Sequence, residues 1–346
     1  MIHLGFGFYR KMLTNDYYRF ARQCGATHAI VHLVDYNNTV NQPIGDKQSG
    51  WGFALSEPEV WSVPFLTKIR REMEQEGLTF YGIENFSPAD WYDVLLDGPK
   101  RAEQMENLKQ IIRNLGEAGI QVMGYNFSLA GVTGRTEGPF ARGGGISVGM
   151  DSADQTPIPD GVVWNMRYRA GEPDKLQPSC SHEQLWDRVG RFLKELVPVA
   201  EASGVRLAAH PDDPPVPVLR STPRLVYKLP FYDKLYDLCP SKSNCYEYCL
   251  GTITEMGEDD LYEATRRYAL AARLAYIHMR NIHGHAPHYH ETFIDEGDLD
   301  IRRIIQILHD TDYEGVIIPD HAPLMTCDAP WNAGMAFALG YLKALL

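Results

Sequence analysis

The chain has 346 residues, 44% of them hydrophobic, and a formal net charge of −12. That supplies a large apolar core and excludes the basic face that a nucleic-acid partner would favour. No apolar run reaches the roughly 18 residues that a membrane span needs, so no membrane partner is expected.

The first element is "IHLGFG" at the start of the chain, a short apolar strand. The segment "GFGFYR" is not a dinucleotide fingerprint, because Arg10 stands where the third glycine belongs. The opening "MIHLGFGFYRK" has no basic stretch followed by a long apolar segment, so no signal peptide is expected and the chain reads as cytoplasmic. "THAIVHLV" (Thr27–Val34) is a buried strand. Ser62 is a good N-cap with Pro64 in the first turn, and the helix it opens leads into the strand "LTFYGIE" (Leu78–Glu84). An amphipathic helix follows with Met105, Leu108, Ile111, Ile112 and Leu115 on one face. It stops at Gly119, before the strand "IQVMGYNF".

Ser181 and Gln184 have capping-box spacing. The helix they open buries Leu185, Val189, Phe192, Leu196 and Val199, and it ends at Gly204. "VRLAAH", the weaker "NCYEYC", "LAYIHM" and "GVIIPD" complete eight strand candidates, mostly followed by helices. Strands alternating with helices imply parallel βαβ units, and eight of them imply a single α/β domain over 1–346, a (β/α)8 TIM barrel rather than an open sheet. Two insertions interrupt the repeat after strands 2 and 4, at 35–58 and 128–180. They are expected to serve as lid or interface segments of a homo-oligomer. Within the second, "PDG" reads as a hairpin turn. The six cysteines are scattered with no C-x-x-C pair, so reduced thiols are expected.

Chemistry in such barrels sits at the C-terminal ends of the strands. The third strand ends at Glu84 and the fourth runs into Asn126. The fifth ends at His210, the sixth at Cys249, and the seventh at His278 with Arg280 two residues on. The eighth ends at Asp320 and His321. His210, Cys249, His278 and Asp320 are all metal-ligating types, and the barrel brings their tips to one rim. A mixed nitrogen, sulfur and oxygen set suits a first-row divalent cation, Mn²⁺, Fe²⁺, Co²⁺ or Zn²⁺. In "AAHPDDPPVP" (Ala208–Pro217), His210 is the ligand. Asp212 and Asp213 either orient its ring or shape the turn. In "HGHAPHYH", His285 and His288 read as surface residues, and His283 and His290 as possible substrate contacts.

The stretches "VRLAAHPDDPPVPVL", "EVWSV" (Glu59–Val63), "YNF" (Tyr125–Phe127), "YIHMRN" and "IIPDH" resemble the mannonate dehydratases of hexuronate catabolism, colinearly over nearly the whole chain. The resemblance implies a barrel like that of xylose isomerase and a divalent cation, usually Mn²⁺. It also implies a lyase that dehydrates D-mannonate to 2-keto-3-deoxy-D-gluconate, or acts on a closely related sugar acid. It places the metal on His210, Cys249, His278 and Asp320 and a catalytic histidine at His321. Arg280 follows the family's His-x-Arg pattern, and "HE" at 290–291 followed by "GD" at 297–298 matches a further segment. Two departures stand out. The family's Gly-His-Gln after Pro-Asp-His is Ala322-Pro323-Leu324 here. The tyrosine used near its C-terminus falls on Met335 or Ala336, with Tyr341 nearby but off register.

Dehydration removes the C2 proton and the C3 hydroxyl of the acid. His321 is the candidate to move a proton, Arg280 to pair with the substrate carboxylate, and Glu84 and Asn126 to bond hydroxyls. Two other readings stay open. One is a metal-dependent isomerase or epimerase (or another lyase) acting on a keto sugar. The other is a sugar-acid binding protein without catalysis. Detection of turnover, and of its product, separates them.

Overall fold

The computed structural model describes residues 1–36, 50–172, 174–258 and 260–346. Eight strands close into one parallel barrel: β1 (His3–Tyr9), β2 (His28–His32), β3 (Thr79–Glu84), β4 (Val122–Tyr125), β5 (Arg206–Ala209), β6 (Asn244–Cys249), β7 (Leu274–His278) and β8 (Val316–Ile318). Each strand pairs with its sequence neighbours, and β8 closes the ring against β1 through His3 opposite Val316. All eight are the strands expected from the sequence.

The local signals act as expected. Ser62 caps the helix Val63–Gln75 by accepting from the Phe65 N–H. Ser181 and Gln184 form a reciprocal capping box on the helix His182–Ser203. That helix and Arg101–Ala118 stop at Gly204 and Gly119, whose φ values of 67° and 76° are left-handed. The barrel interior is filled by Ile30, Tyr81, Val122, Ala208, Cys245, Tyr276, Val316 and Ile318. Among the described residues no helix is long and apolar enough to cross a membrane, and none of the six cysteines is in a disulfide.

The insertion after β4 is structured. Its strands Thr136–Ala141 and Gly145–Met150 join the hairpin after β7, Asn281–His285 and His288–Thr292, in a four-stranded antiparallel sheet. Tyr289 lies opposite Met150 in that sheet. The loop after β8 is tied to it as well, by the Leu324 N–H donating to the Ile146 carbonyl. Three loops from different strands thus form one roof.

The chain turns at "PDG" as expected, the Val162 N–H donating to the Pro159 carbonyl, but the turn does not close a hairpin, since Pro159 bridges to Leu176. Asp160 there is buried, pairing with Arg169 at 2.6 Å and accepting from the Glu172 N–H. The tight hairpin comes next, between Val162–Val163 and Met166–Arg167, and turns at Trp164 and Asn165. Both have positive φ, 53° and 56°, as a two-residue hairpin of this kind requires. In the first insertion, residues 37–49 lie outside the described residues. Beyond them the Trp51 N–H donates to the Asn165 carbonyl and its ring packs edge-on against Trp164. The two insertions clasp each other over one side of the mouth.

Candidate metal centre and active site

His210, Cys249 and His278 come from the ends of β5, β6 and β7, and one ligand atom from each lies within 4.8 Å of the others. Asp320, two residues past β8, joins them with Oδ2 3.3 Å from His278 Nδ1. It holds a φ of 66°, a strained conformation for a side chain other than glycine. Cys249 and His278 are buried, while His210 and Asp320 are partly open to the cavity.

The turn after β5 orients His210. Its Nδ1 lies 2.7 Å from the Pro211 carbonyl. With a proton on Nδ1, the Nε2 lone pair is left for a cation. The aspartates take other tasks. Asp212 accepts from the Leu225 and Val226 N–H groups and pairs with the buried Arg224 at 3.1 Å, so it shapes the turn. Asp213 lies 2.6 Å from Arg280 and 3.6 Å from Arg135.

The electrostatics favour a cation. Burial alone would push the Cys249 thiol up, but Arg280 and the hydrogen bonds of His210 and His278 hold it well below its ordinary value. Burial likewise opposes the charged form of His210, and the pull of Glu247 and Cys249 outweighs it, raising the imidazole to about 9. Neither His278 nitrogen has an aligned hydrogen bond, although both face carboxylates. Orphaned buried donor atoms around an easily ionised thiol are what a divalent transition metal needs.

The cavity above this set is lined by Glu84, Asn85, Asn126, Val132, Arg135, His210, Asp213, His278, Asp320 and His321, with His32 and an aromatic wall of Tyr9, Tyr36, Trp51 and Trp164. His321 sits between two carboxylates, its Nδ1 2.9 Å from Glu291 and its Nε2 3.3 Å from Asp320. Burial lowers its basicity, yet Asp320 and then Glu291 raise it overall.

The other expected contacts fall out differently. Arg280 is 3% exposed and does not line the cavity. Its Nη1 faces Glu255 and Glu291 at 2.7 and 3.1 Å, its Nη2 Asp213 and Thr252 at 2.6 and 2.9 Å. Both ends of the fork are committed inside the protein, so the expected pairing with a substrate carboxylate is not what this geometry offers. Asn126 lines the cavity, but its amide is also engaged. It donates to the Pro211 carbonyl at 3.1 Å and accepts from Trp164 Nε1 at 3.1 Å. His283 and His290 are in the roof sheet away from the cavity lining. His283 bonds Asp298 at 2.9 Å, and the His290 ring lies near Phe140. Glu84 does line the cavity and accepts from the Tyr276 hydroxyl at 3.2 Å.

Several residues escaped the sequence reading. His32 ends β2, inside a strand expected to run to Val34. Arg135 lies in the insertion with no local signal. Glu247, fully buried on β6, had one signal. It stands two residues before Cys249, hence on the same face of the strand.

A family model described as D-mannonate dehydratase (UxuA) matches residues 39–151 and 158–344. A mannonate dehydratase of Streptococcus equi subsp. zooepidemicus is 29% identical over 276 residues, covering 76% of this chain and 75% of its own. That of Geobacillus thermodenitrificans is 29% identical over 288 residues, covering 77% of each. The crystal structure of mannonate dehydratase from Streptococcus suis serotype 2 superposes with a TM-score of 0.75 at 23% identity, over 99% of this chain and 92% of that one. The 3-keto-D-glucoside 4-epimerase YcjR of E. coli shares the fold at a TM-score of 0.58 and 13% identity, over 99% of this chain and all (100%) of its own. With most of its length matched by one family model, the chain belongs to the D-mannonate dehydratase family.

Proposed function

We propose that this chain is a metal-dependent hydro-lyase that converts D-mannonate, or a closely related sugar acid, to the 2-keto-3-deoxy acid. The observation that carries the reading is the convergence of His210, Cys249 and His278, with Asp320 beside them, under a cavity that His321 also lines. These four residues would hold the metal, with Mn²⁺ the expected ion. A bound divalent cation would stabilise the negative charge that develops when the C2 proton leaves.

The chain's own groups handle the protons. A cation held by Asp320 would weaken the pull of that carboxylate on His321, and His321 is the group that accepts the C2 proton while Glu291 holds its other nitrogen. Tyr9 takes the part of the departed family tyrosine. It lines the cavity, stacks on His32 with ring centroids 4.7 Å apart, and keeps its proton because burial, then Asp320 and Glu84, hold the phenol well above its ordinary value. It supplies the proton with which the C3 hydroxyl leaves as water. Arg135, the one arginine among the described lining residues, takes the substrate carboxylate. Arg280 is a positioning residue that fixes Asp213, Glu255 and Glu291. Residues 1–346 act as one barrel domain, and the 128–180 insertion is the roof that sets sugar-acid selectivity.

The test is incubation of Mn²⁺-loaded protein with a panel of aldonates and keto sugars. A 2-keto-3-deoxy acid from D-mannonate is the expected product. Interconversion of keto sugars without any deoxy acid would assign the site to an epimerase instead.

A further inference from the structure

The four candidate ligands occupy only half of the rim. His210, Cys249, His278 and Asp320 come from the ends of β5 to β8. Arg135 lies on the same half, 3.6 Å from Asp213 and 3.3 Å from Glu291. On the other half Tyr9, His32 and Glu84 end β1, β2 and β3, and Asn85 and Asn126 directly follow β3 and β4. All five line the cavity. A sugar acid whose carboxylate end is held on the ligand half must lay its remaining carbons over this other half.

Two side chains there keep hydrogen-bonding capacity that the protein does not use. Asn85 extends the pairing beyond β3 by donating its N–H to the Gly124 carbonyl, and it holds a left-handed φ of 68°. Its Nδ2 donates to the Tyr36 hydroxyl at 3.3 Å. Among the described residues nothing accepts the Tyr36 hydroxyl proton and nothing donates to Asn85 Oδ1, although both residues are buried and line the cavity. The bland account is conformational, since asparagine enters the left-handed region more readily than most residues. A glycine would do so without strain, and no amide would then be needed. Here the amide faces the cavity and meets a phenol brought from another strand's loop.

Tyr36 opens the first insertion, ahead of the residues that the family model matches, so it is a feature of this chain. Trp51 packs edge-on against its ring with centroids 5.3 Å apart, and the Trp164 ring lies 6.0 Å away. One tryptophan comes from each insertion, and together they fix the phenol in a small apolar cluster of its own. A group fixed in advance by packing loses little freedom when a ligand binds. The free capacity is one donor, the Tyr36 O–H, beside one acceptor, Asn85 Oδ1. That pair suits a hydroxyl, which both donates and accepts, and not a carboxylate, which only accepts.

We propose that Tyr36 and Asn85 form the subsite for the hydroxylated tail of the sugar acid, its C5 and C6 end, and select there for chain length. The inference rests on the proposed dehydration only for the class of substrate.

The test is calorimetric titration of two acids into the Mn²⁺-loaded full chain carrying His321→Asn, in which turnover is stopped. One acid is D-mannonate. The other is L-erythronate, which has the same configuration at C2 and C3 and ends at C4. This parent is expected to bind D-mannonate more tightly. Adding Tyr36→Phe should weaken D-mannonate about tenfold, the scale of one neutral hydrogen bond, and leave L-erythronate unchanged. Asn85→Gly, which suits the left-handed backbone, should act alike without lowering the melting temperature, and it serves if the tyrosine variant does not fold. Equal weakening of both acids, an unchanged D-mannonate affinity, or a parent without preference for D-mannonate would overturn the subsite. The expected binding pattern with no 2-keto-3-deoxy acid formed by wild type would instead overturn the dehydration alone.

Discussion

Glu291 holds His321 from the roof: its Oε2 lies 2.9 Å from the imidazole Nδ1, although it belongs to the hairpin after β7 and His321 to the end of β8. The same carboxylate lies 3.1 Å from Arg280 and 3.3 Å from Arg135. One residue of the roof sheet therefore aligns the candidate base and the arginine proposed for the substrate.

This relationship predicts a split between two variants. His321→Asn should retain metal and lose turnover by about two orders of magnitude or more, the usual scale for a positioned acid or base. Glu291→Gln should lose less and move the pH profile. Glu291 raises the basicity of His321, so removing its charge lowers the imidazole pKa. The acid limb of kcat/KM, where a protonated base is inactive, then shifts to lower pH. An unmoved acid limb in Glu291→Gln would separate Glu291 from the proton step.

Cys249 and Cys245 make an internal control, because both lie on β6 and both point into the barrel. Cys249 faces His210 and His278 at the rim, whereas Cys245 packs among Ile30, Tyr81 and Val122 in the layer below. Cys249→Ala should weaken Mn²⁺ affinity by at least about tenfold, since even supporting partners of a ligand cost that much. Cys245→Ala should leave affinity unchanged and cost roughly 1 kcal/mol of stability through the small void it leaves. Equal affinities in the two variants would remove Cys249 from the ligand set.

The barrel was legible in the sequence because fully buried parallel strands read as short apolar runs and several helices are marked by a capping serine or a terminal glycine. Ser62, Ser181, Gly119 and Gly204 act locally, so local pattern sufficed. The rim residues were legible because they end strands whose positions were clear. Glu247 was hidden by its neighbours, since a charged residue flanked by tyrosines in "NCYEYC" weakened the strand instead of marking a site. The roof carried no such signal. Met150 and Tyr289 pair across well over a hundred residues, and nothing local in either strand names its partner. Arg280 illustrates the converse. The motif position was right, but only the fold shows that Asp213, Glu255 and Glu291 have already taken its donors.

Trp164 tests whether the roof sets selectivity. Its backbone holds a positive φ, which a bulky residue adopts only under constraint. Its indole N–H donates to Asn126, which in turn holds the Pro211 carbonyl behind His210. Trp164→Phe keeps the ring in the aromatic wall and removes the N–H. The expected result is a KM for the sugar acid raised several-fold, with metal content unchanged and kcat reduced by less than about tenfold, the loss of one neutral hydrogen bond. A variant indistinguishable from wild type in KM would leave the roof without a part in recognition.

The two arginines of the site give the sharpest contrast. Arg135 lines the cavity and Arg280 does not. If Arg135 binds the substrate carboxylate, Arg135→Lys keeps the charge but loses the planar fork, so kcat/KM should fall by about tenfold or more, chiefly through KM. Arg280→Lys sits among three buried acids and cannot reproduce both ends of the fork. Breaking a buried pair of this kind costs about 3–5 kcal/mol, because it leaves charge uncompensated, and even a lysine that keeps the charge should lower the melting temperature and the metal affinity together. Thermal melts and Mn²⁺ titrations on both variants, beside kinetics on the sugar acid, read the two roles separately. If Arg280→Lys instead melted like wild type and failed only in KM, Arg280 would be the substrate's partner after all, reaching the cavity by a rearrangement of Asp213 and Glu291.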